Sequence, residues 1–442
     1  MIVQTTDNKD WHKPQNLQPQ DIDNLAKIAD IKIGELSAVD RANLLVFPHD
    51  FKTHGDKIHE QTIISLNHKN EIKTSNIMGF VGINDTQLDI RSRFAKADNE
   101  DYFMHYILQK VFSINLFDIK HSVAKEPIFD FLLYLFPLFL KRALAQGLFK
   151  KYQRNEYNDA NVRGAVEVNR HIRHNVPFNG KVAYSTREHN YNNEVTQLIR
   201  HTIEYIRTKP AGKHTLNTDS ETRECIAQIN LVTSNYNQRE RTSVIYKNLR
   251  PVNHPYFSAY APLQKLCIQI LRHQEIKFGK EKDKVYGILF DGAWLWEEYL
   301  WTILRKAGFK HPENNLSRGG FKMFKKPEVD DLFAKNSRRL YPDYFKEHFI
   351  VDAKYKHLEK GVGREDLYQV VTYMYCKEAE YGAYIYPCDT KQDLRKHQLA
   401  GYGGEIHIIP FYIPNDGSSF NSFSLSMQGS ENEIIETLMI ND

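Results

Sequence analysis

The chain has 442 residues, 41% of them hydrophobic and 12% aromatic, with a formal net charge of +4. That composition supports roughly two or three cored domains and excludes a disordered chain or a tail-like polybasic binder. The four cysteines, at 225, 267, 376 and 388, form no C-x-x-C pair and lie in or near apolar runs, so they read as free thiols rather than zinc or iron–sulfur ligands.

In chain order, residues 1–22 are polar and predict a mobile N-terminus. They lack the basic and apolar regions of a signal peptide, which points to the cytoplasm, as free thiols do. Residues 23–97 carry short β-type runs between turns and predict a β-rich domain. Lysines and histidines from Lys52 to Lys73 fall on its loops, where a partner can meet them. Residues 98–280 predict a mainly helical central region. Its first helix has Tyr102, Met104, Tyr106, Ile107 and Val111 as an apolar face. The run Ile128 to Leu140 contains Asp130 and Pro137 and is too short to span a bilayer, so it predicts a buried helix interrupted at Pro137.

A basic hairpin insertion is expected near 155–187, with helices near 192–208, 219–233 and 256–277. Lys141, Arg142, Lys150, Lys151, Arg154, Arg163, Arg170, Arg173 and Lys181 crowd this region, with tyrosines and asparagines between them. Two readings stay open: a phosphate-tracking surface for DNA, or solvated faces of ordinary elements. Residues 281–414 predict an α/β domain. Residues 415–442 are rich in Ser, Asn and Gly at first and read as a linker, with a short helix from Ile434 to Ile440. No internal repeat and no Walker A pattern (G-x-x-x-x-G-K-S/T) is present.

The chemistry is concentrated between 341 and 354, in Tyr341-Pro342-Asp343 and Ile350-Val351-Asp352-Ala353-Lys354. Asp352 and Lys354 are two apart on a strand-like run and share a face. A turn at Lys346-Glu347 returns the chain, bringing Asp352 beside Asp343. Two carboxylates suit Mg²⁺, with Mn²⁺ as a substitute, and the backbone carbonyl of Ala353 is a candidate third ligand. Such a site is suited to phosphodiester hydrolysis, with Lys354 orienting the attacking water or stabilising the phosphate. Upstream, Leu295, Tyr299, Leu300 and Ile303 mark a helix that also carries Glu297 and Glu298, either of which can add an acid. Downstream, Gln369 and Tyr373 share a helix face and either touch a phosphate backbone or brace the site. Tyr381 to Pro387 reads as a buried strand.

The order of helix, two acid-bearing strands, helix and strand resembles the PD-(D/E)xK nuclease superfamily. The matching residues are Glu297, Pro342-Asp343, Asp352-Ala353-Lys354 and, more loosely, Gln369 with Tyr373. Further motifs narrow the resemblance: Phe136 to Leu148, Asn161-Val162-Arg163-Gly164, Tyr191-Asn192-Asn193-Glu194-Val195, Ile77 to Gly82 and Gln87 to Phe94. Taken in order, they are similar to the McrC family, the nuclease subunit of McrBC-type and LlaJI-type restriction systems.

The resemblance implies an α+β multidomain chain: an N-terminal β-rich domain, a central helical region and a C-terminal restriction-endonuclease-like domain. It implies metal-binding acids at Asp343 and Asp352 and an assisting lysine at Lys354. It also implies an AAA+ GTPase partner of the McrB type that binds the GTP, docking through the N-terminal part, and double-stranded DNA, methylated or unmethylated, as substrate. Self-association is the expected route to double-strand cleavage. Two other classes remain: a non-catalytic activator docked on a GTPase ring, and a stand-alone repair nuclease.

Overall fold

The computed structural model describes residues 2–14, 17–39, 44–48, 58–95, 101–112, 127–209, 212–217, 219–250, 252–277, 285–312, 318–324, 339–356, 358, 361–401, 403–415 and 419–439. Of the expected partner-facing loop from Lys52 to Lys73, residues 52–57 lie outside that set. The fold is mixed α/β with several sheets. It divides into two units. One joins Met1–Leu116 to Ile276–Asp442; the other is the intervening Phe117–Glu275.

The first unit contains a five-stranded sheet in the order Ile2–Thr6, Thr86–Arg91, Ile77–Ile83, Val285–Asp291, Leu44–Phe47. Thr86–Arg91 alternates buried and half-buried residues, as a strand with one covered face does. Ile77–Ile83 is buried throughout, as a central strand is. Asn84, at positive φ, turns the chain between these two strands. Gly79 and Gly287 allow the two central strands to approach. A Cβ at Gly79 would stand 2.1 Å from the carbonyl oxygen of Ile288, and one at Gly287 equally close to that of Phe80.

Two sequence expectations are corrected here. Ile2–Thr6 is not mobile: it pairs in parallel with Thr86–Arg91, and Val3 is fully buried. Composition missed this because the stabilising partner lies some eighty residues away. The strand Val285–Asp291, assigned from sequence to the C-terminal domain, lies between Ile77–Ile83 and Leu44–Phe47. The two end segments of the chain therefore share a sheet.

A second sheet in the same unit has the order Tyr344–Phe345, Phe349–Ala353, Tyr381–Cys388, Glu405–Tyr412, Arg395–Gln398. The first pair is antiparallel, and the next two pairings are parallel. The helix Arg364–Lys377 makes the crossover that a parallel pair requires. The helix Gly292–Leu304 buries Leu295, Trp296, Tyr299, Leu300, Ile303 and Leu304 and leaves Glu297 and Glu298 half-buried. Its start is set by Asp291, whose carboxylate accepts from Ala293 N (2.8 Å) and Trp294 N (3.2 Å).

The expected C-terminal linker is instead part of a helix, Phe420–Met439. Phe420, Phe423, Met427, Ile434 and Leu438 form its buried stripe. The polar composition between them masks a helical period. Glu431 on this helix accepts from Tyr106 Oη (2.8 Å) and Tyr299 Oη (2.9 Å) and pairs with Lys110 (3.0 Å).

The central unit starts with the helix Pro127–Leu144, which continues through Pro137 rather than breaking there. Lys151–Asp159 and Val182–Asn190 then form the expected hairpin, with Ala165–Val166 as third strand and the helix Val168–Asn175 inserted. The helices Glu194–Arg207, Ser220–Val232, Arg241–Lys247 and Tyr260–Lys277 complete it. Asn193 caps the first of these in a reciprocal box with Thr196. Among the described residues, no helix is long and apolar enough to cross a membrane.

Candidate active site

The short hairpin Tyr344–Phe345 with Phe349–Ala353 sets the geometry. Its register opposes Tyr344 to Val351 and Phe345 to Ile350, so its continuation sets Asp343 opposite Asp352, one residue from Ala353. Asp343 Oδ2 accepts a 2.7 Å hydrogen bond from the backbone N–H of Ala353. The flanking Asp352 and Lys354 then project together from the opposite face of the strand. Asp352 is 2% exposed. Its Oδ2 is buried and lies 2.8 Å from Lys354 Nζ. Lys354 also lies 3.2 Å from Asp366 Oδ1, and Lys356 pairs with the other oxygen of Asp366. Asp366 sits in the first turn of the helix Arg364–Lys377, where a carboxylate is favoured.

Burial pushes the Asp352 carboxyl up, against the opposing charge and hydrogen bonding of Lys354. For Lys354, burial pulls the ammonium down, but Asp352, Asp343 and Asp366 more than offset it, so Lys354 is held in its charged form. Asp366 is held below the usual carboxylate range: its partial burial is outweighed by Lys356 and Lys354. Lys354 is therefore an ammonium among acids, not a neutral lysine poised as a base.

Glu297 faces the same region. Its carbonyl accepts from Tyr344 Oη at 2.5 Å, and its carboxylate lies 3.7 Å from His311 Nε2. His311 Nδ1 in turn lies 2.6 Å from the carbonyl oxygen of Asp343, bridging the helix to the acid strand. Its ring stacks near Trp301 and Tyr344. Tyr344 is fully buried, and its phenol is raised well above its ordinary range by burial and then by Glu297, Asp343, Glu298 and Asp352.

Tyr373 is buried, accepts from Gln369 Nε2 (2.8 Å) and donates to the carbonyl of Tyr341 (3.4 Å). In this position the pair braces the chain leading into Asp343. A second brace acts from the other side. Tyr355, the residue after Lys354, lies under the guanidinium of Arg93, 4.4 Å from ring centroid to Cζ. Arg93 itself is tied to the buried Asp7 (2.6 Å) and to Asn76 (3.0 Å).

The three arginines singled out for DNA lie in the central unit. Arg163 is exposed, with its guanidinium over Tyr157 and its Nε 3.3 Å from Tyr184 Oη. Arg173 is exposed on the helix Val168–Asn175. Arg170 is engaged internally: it pairs with Glu156 and Glu167 and donates to the carbonyls of Tyr157 and Tyr184.

Asp366, Lys356, Tyr344 and His311 were not singled out from the sequence. Asp366 was within reach of it, as an acid in the first turn of the helix after the acid strand. Nothing in the linear order connects His311 to Asp343. Among the described residues, no trio of His, Cys, Asp or Glu side chains is arranged to hold a metal by itself. The two aspartates supply the carboxylate oxygens that a hard cation takes, the buried Oδ2 of Asp352 being balanced by Lys354, and a backbone oxygen is needed to extend the set.

The family model described as McrBC 5-methylcytosine restriction system component matches residues 72–387. No curated protein matches. Two solved structures from Thermococcus gammatolerans resemble the chain. One is a refined half-complex from a tetradecameric assembly of McrB AAA+ hexamers with bound McrC. It aligns at 15% identity and a TM-score of 0.50, covering 97% of this chain and 100% of that one. The other is a cryo-EM structure of the McrBC complex, at 14% identity and a TM-score of 0.36, covering 70% of this chain and 89% of that one. The first of these likenesses speaks for a shared fold.

Proposed function

We propose, from the premise that the chain belongs to the McrBC family of 5-methylcytosine restriction system components, that it is the McrC-type nuclease subunit, hydrolysing DNA phosphodiester bonds. The observation that carries this reading is the hydrogen bond from Ala353 N to Asp343 Oδ2. It brings the first acid beside the strand that bears Asp352 and Lys354. The strand order, with an antiparallel acid hairpin followed by a parallel crossover, supports a PD-(D/E)xK domain.

In this reading Asp343, Asp352 and the Ala353 carbonyl would hold Mg²⁺, or Mn²⁺ in its place. Bound there, the ion would supply a water of lowered pKa and neutralise charge on the phosphate. Lys354, held charged by three aspartates, orients the water and offsets the negative charge that builds on the phosphate. Glu297, steered by His311, completes the acidic wall. Gln369 and Tyr373 keep Asp343 in place rather than touching DNA.

The partner in this reading is an AAA+ GTPase of the McrB type, which binds the GTP; the assembly of the first solved relative supports it. The test is cleavage of methylated duplex DNA by the chain with its partner, GTP and Mg²⁺. Cleavage that survives Asp352→Asn would overturn the assignment. Equal cleavage with the partner omitted would overturn the dependence on it.

A further inference from the structure

Two cavities of the central unit join into one cationic groove. The larger has a volume of about 860 Å³ and the smaller about 370 Å³. Lys151, Tyr152, Glu194 and Lys247 line both. Lys150, Lys151, Lys247 and Arg250 are exposed along the larger cavity. Among the described residues, Glu194 is the one carboxylate lining the larger cavity, tied to Lys151 at 2.5 Å, and Glu240 is added in the smaller. The groove thus carries a clear positive excess.

Its aromatic residues are unusual for a merely solvated face. Tyr152 is 67% exposed and Tyr256 81% exposed. Exposing so much of a large ring forgoes burial that the core would reward. Tyr152 lies over His189, with ring centroids 4.2 Å apart and planes 30° apart, so the two rings form a small platform. Beyond it the smaller cavity is lined by side-chain amides: Asn192, Gln197 and Asn235 hydrogen-bond one another at 2.6–2.8 Å. Cations for phosphates, rings for base faces and amides for base edges match the needs of an unpaired nucleotide chain. An acidic peptide would use the cations but not the open rings.

We propose that this groove binds a single-stranded nucleic-acid segment, with phosphates on Lys151, Lys247 and Arg250 and bases on Tyr152 and Tyr256. The proposal goes beyond the cleavage reading and does not rest on it. A duplex keeps its bases stacked on one another and offers their faces to no tyrosine, so the groove favours an unpaired strand.

The experiment is fluorescence anisotropy with the full chain in EDTA, using labelled single strands of about twelve nucleotides. DNA and RNA strands and a DNA duplex are compared over a salt series. Lys247→Glu with Arg250→Glu is expected to weaken single-strand binding at least about tenfold and to flatten the salt slope by about 1.4, as loss of two phosphate contacts does. Tyr152→Ala with Tyr256→Ala is expected to weaken it about tenfold with the slope unchanged, while Phe at both positions retains affinity. Circular dichroism confirms that these exposed substitutions leave the fold intact. Whichever of DNA and RNA binds more tightly names the source of the strand. Unchanged affinity in either double variant overturns the proposal, as does duplex binding as tight as single-strand binding. Because the readout is equilibrium binding without metal, its failure leaves the cleavage reading untouched.

Discussion

Asp343 is fixed to the strand beside it by the 2.7 Å hydrogen bond that its Oδ2 accepts from Ala353 N–H. The same contact places an acid at the site and satisfies a backbone donor in the strand. Asp343→Ala therefore confounds chemistry with structure. Asp343→Asn keeps an acceptor for Ala353 N–H and removes the charge. It is expected to melt within a few degrees of the parent and to lose cleavage by at least about a hundredfold. Near-parental cleavage by this variant removes Asp343 from the metal site.

Lys354 separates turnover from metal affinity. Lys354→Met removes the ammonium lying 2.8 Å from Asp352 and 3.2 Å from Asp366. Asp352 then loses its counter-charge while Asp366 keeps Lys356, which favours a divalent cation beside Asp352. Calorimetry is expected to show Mg²⁺ binding no weaker than in the parent, while cleavage at saturating metal falls by about two orders of magnitude. Weakened binding with normal turnover contradicts the assigned role.

The Asp7–Arg93 pair holds Tyr355 and thereby the end of the acid strand. Asp7 is fully buried and Arg93 nearly so. Arg93→Met strands a buried carboxylate, at a cost of about 3–5 kcal/mol. Asp7→Leu with Arg93→Met is expected to recover much of that loss, because no charge is left unpaired. Urea denaturation reads both. A double variant less stable than Arg93→Met alone would refute the explanation.

His201 predicts a pH dependence in the central unit. It is fully buried, neither ring nitrogen has a hydrogen-bond partner, and burial with Arg241 and Arg200 pulls it down to about 4. Its folded pKa lies below its unfolded value near 6.5. Between those values the unfolded chain binds the extra proton, so stability rises with pH across that window and is lost as pH falls through it. The contribution is on the order of 3 kcal/mol at most. His201→Phe, which fills the space without a proton, is expected to flatten stability between about pH 4 and 6.5; an unaltered slope assigns the dependence elsewhere.

Deleting residues 1–97 is a poor test of partner docking. It would remove Ile77–Ile83 and Leu44–Phe47, the two strands that flank Val285–Asp291, and so open the first sheet. Docking is better read by co-purification of the whole chain with surface substitutions.

The sequence by itself determined the local features. Two-residue spacing put Asp352 and Lys354 on one face, a short polar turn returned the strand bearing Asp352 beside Asp343, and a 3.6-residue period marked the helix Gly292–Leu304. These depend on contacts a few residues apart, which the order of side chains encodes directly. Tertiary structure decided the rest. It set Ile2–Thr6 against Thr86–Arg91 and joined Val285–Asp291 to the N-terminal sheet. It also brought Asp366 to Lys354 and placed His311 between Glu297 and Asp343. Each of these pairings spans a stretch of chain whose path depends on burying faces against distant elements, and that balance of burial against chain entropy is made by the whole molecule rather than by any local pattern.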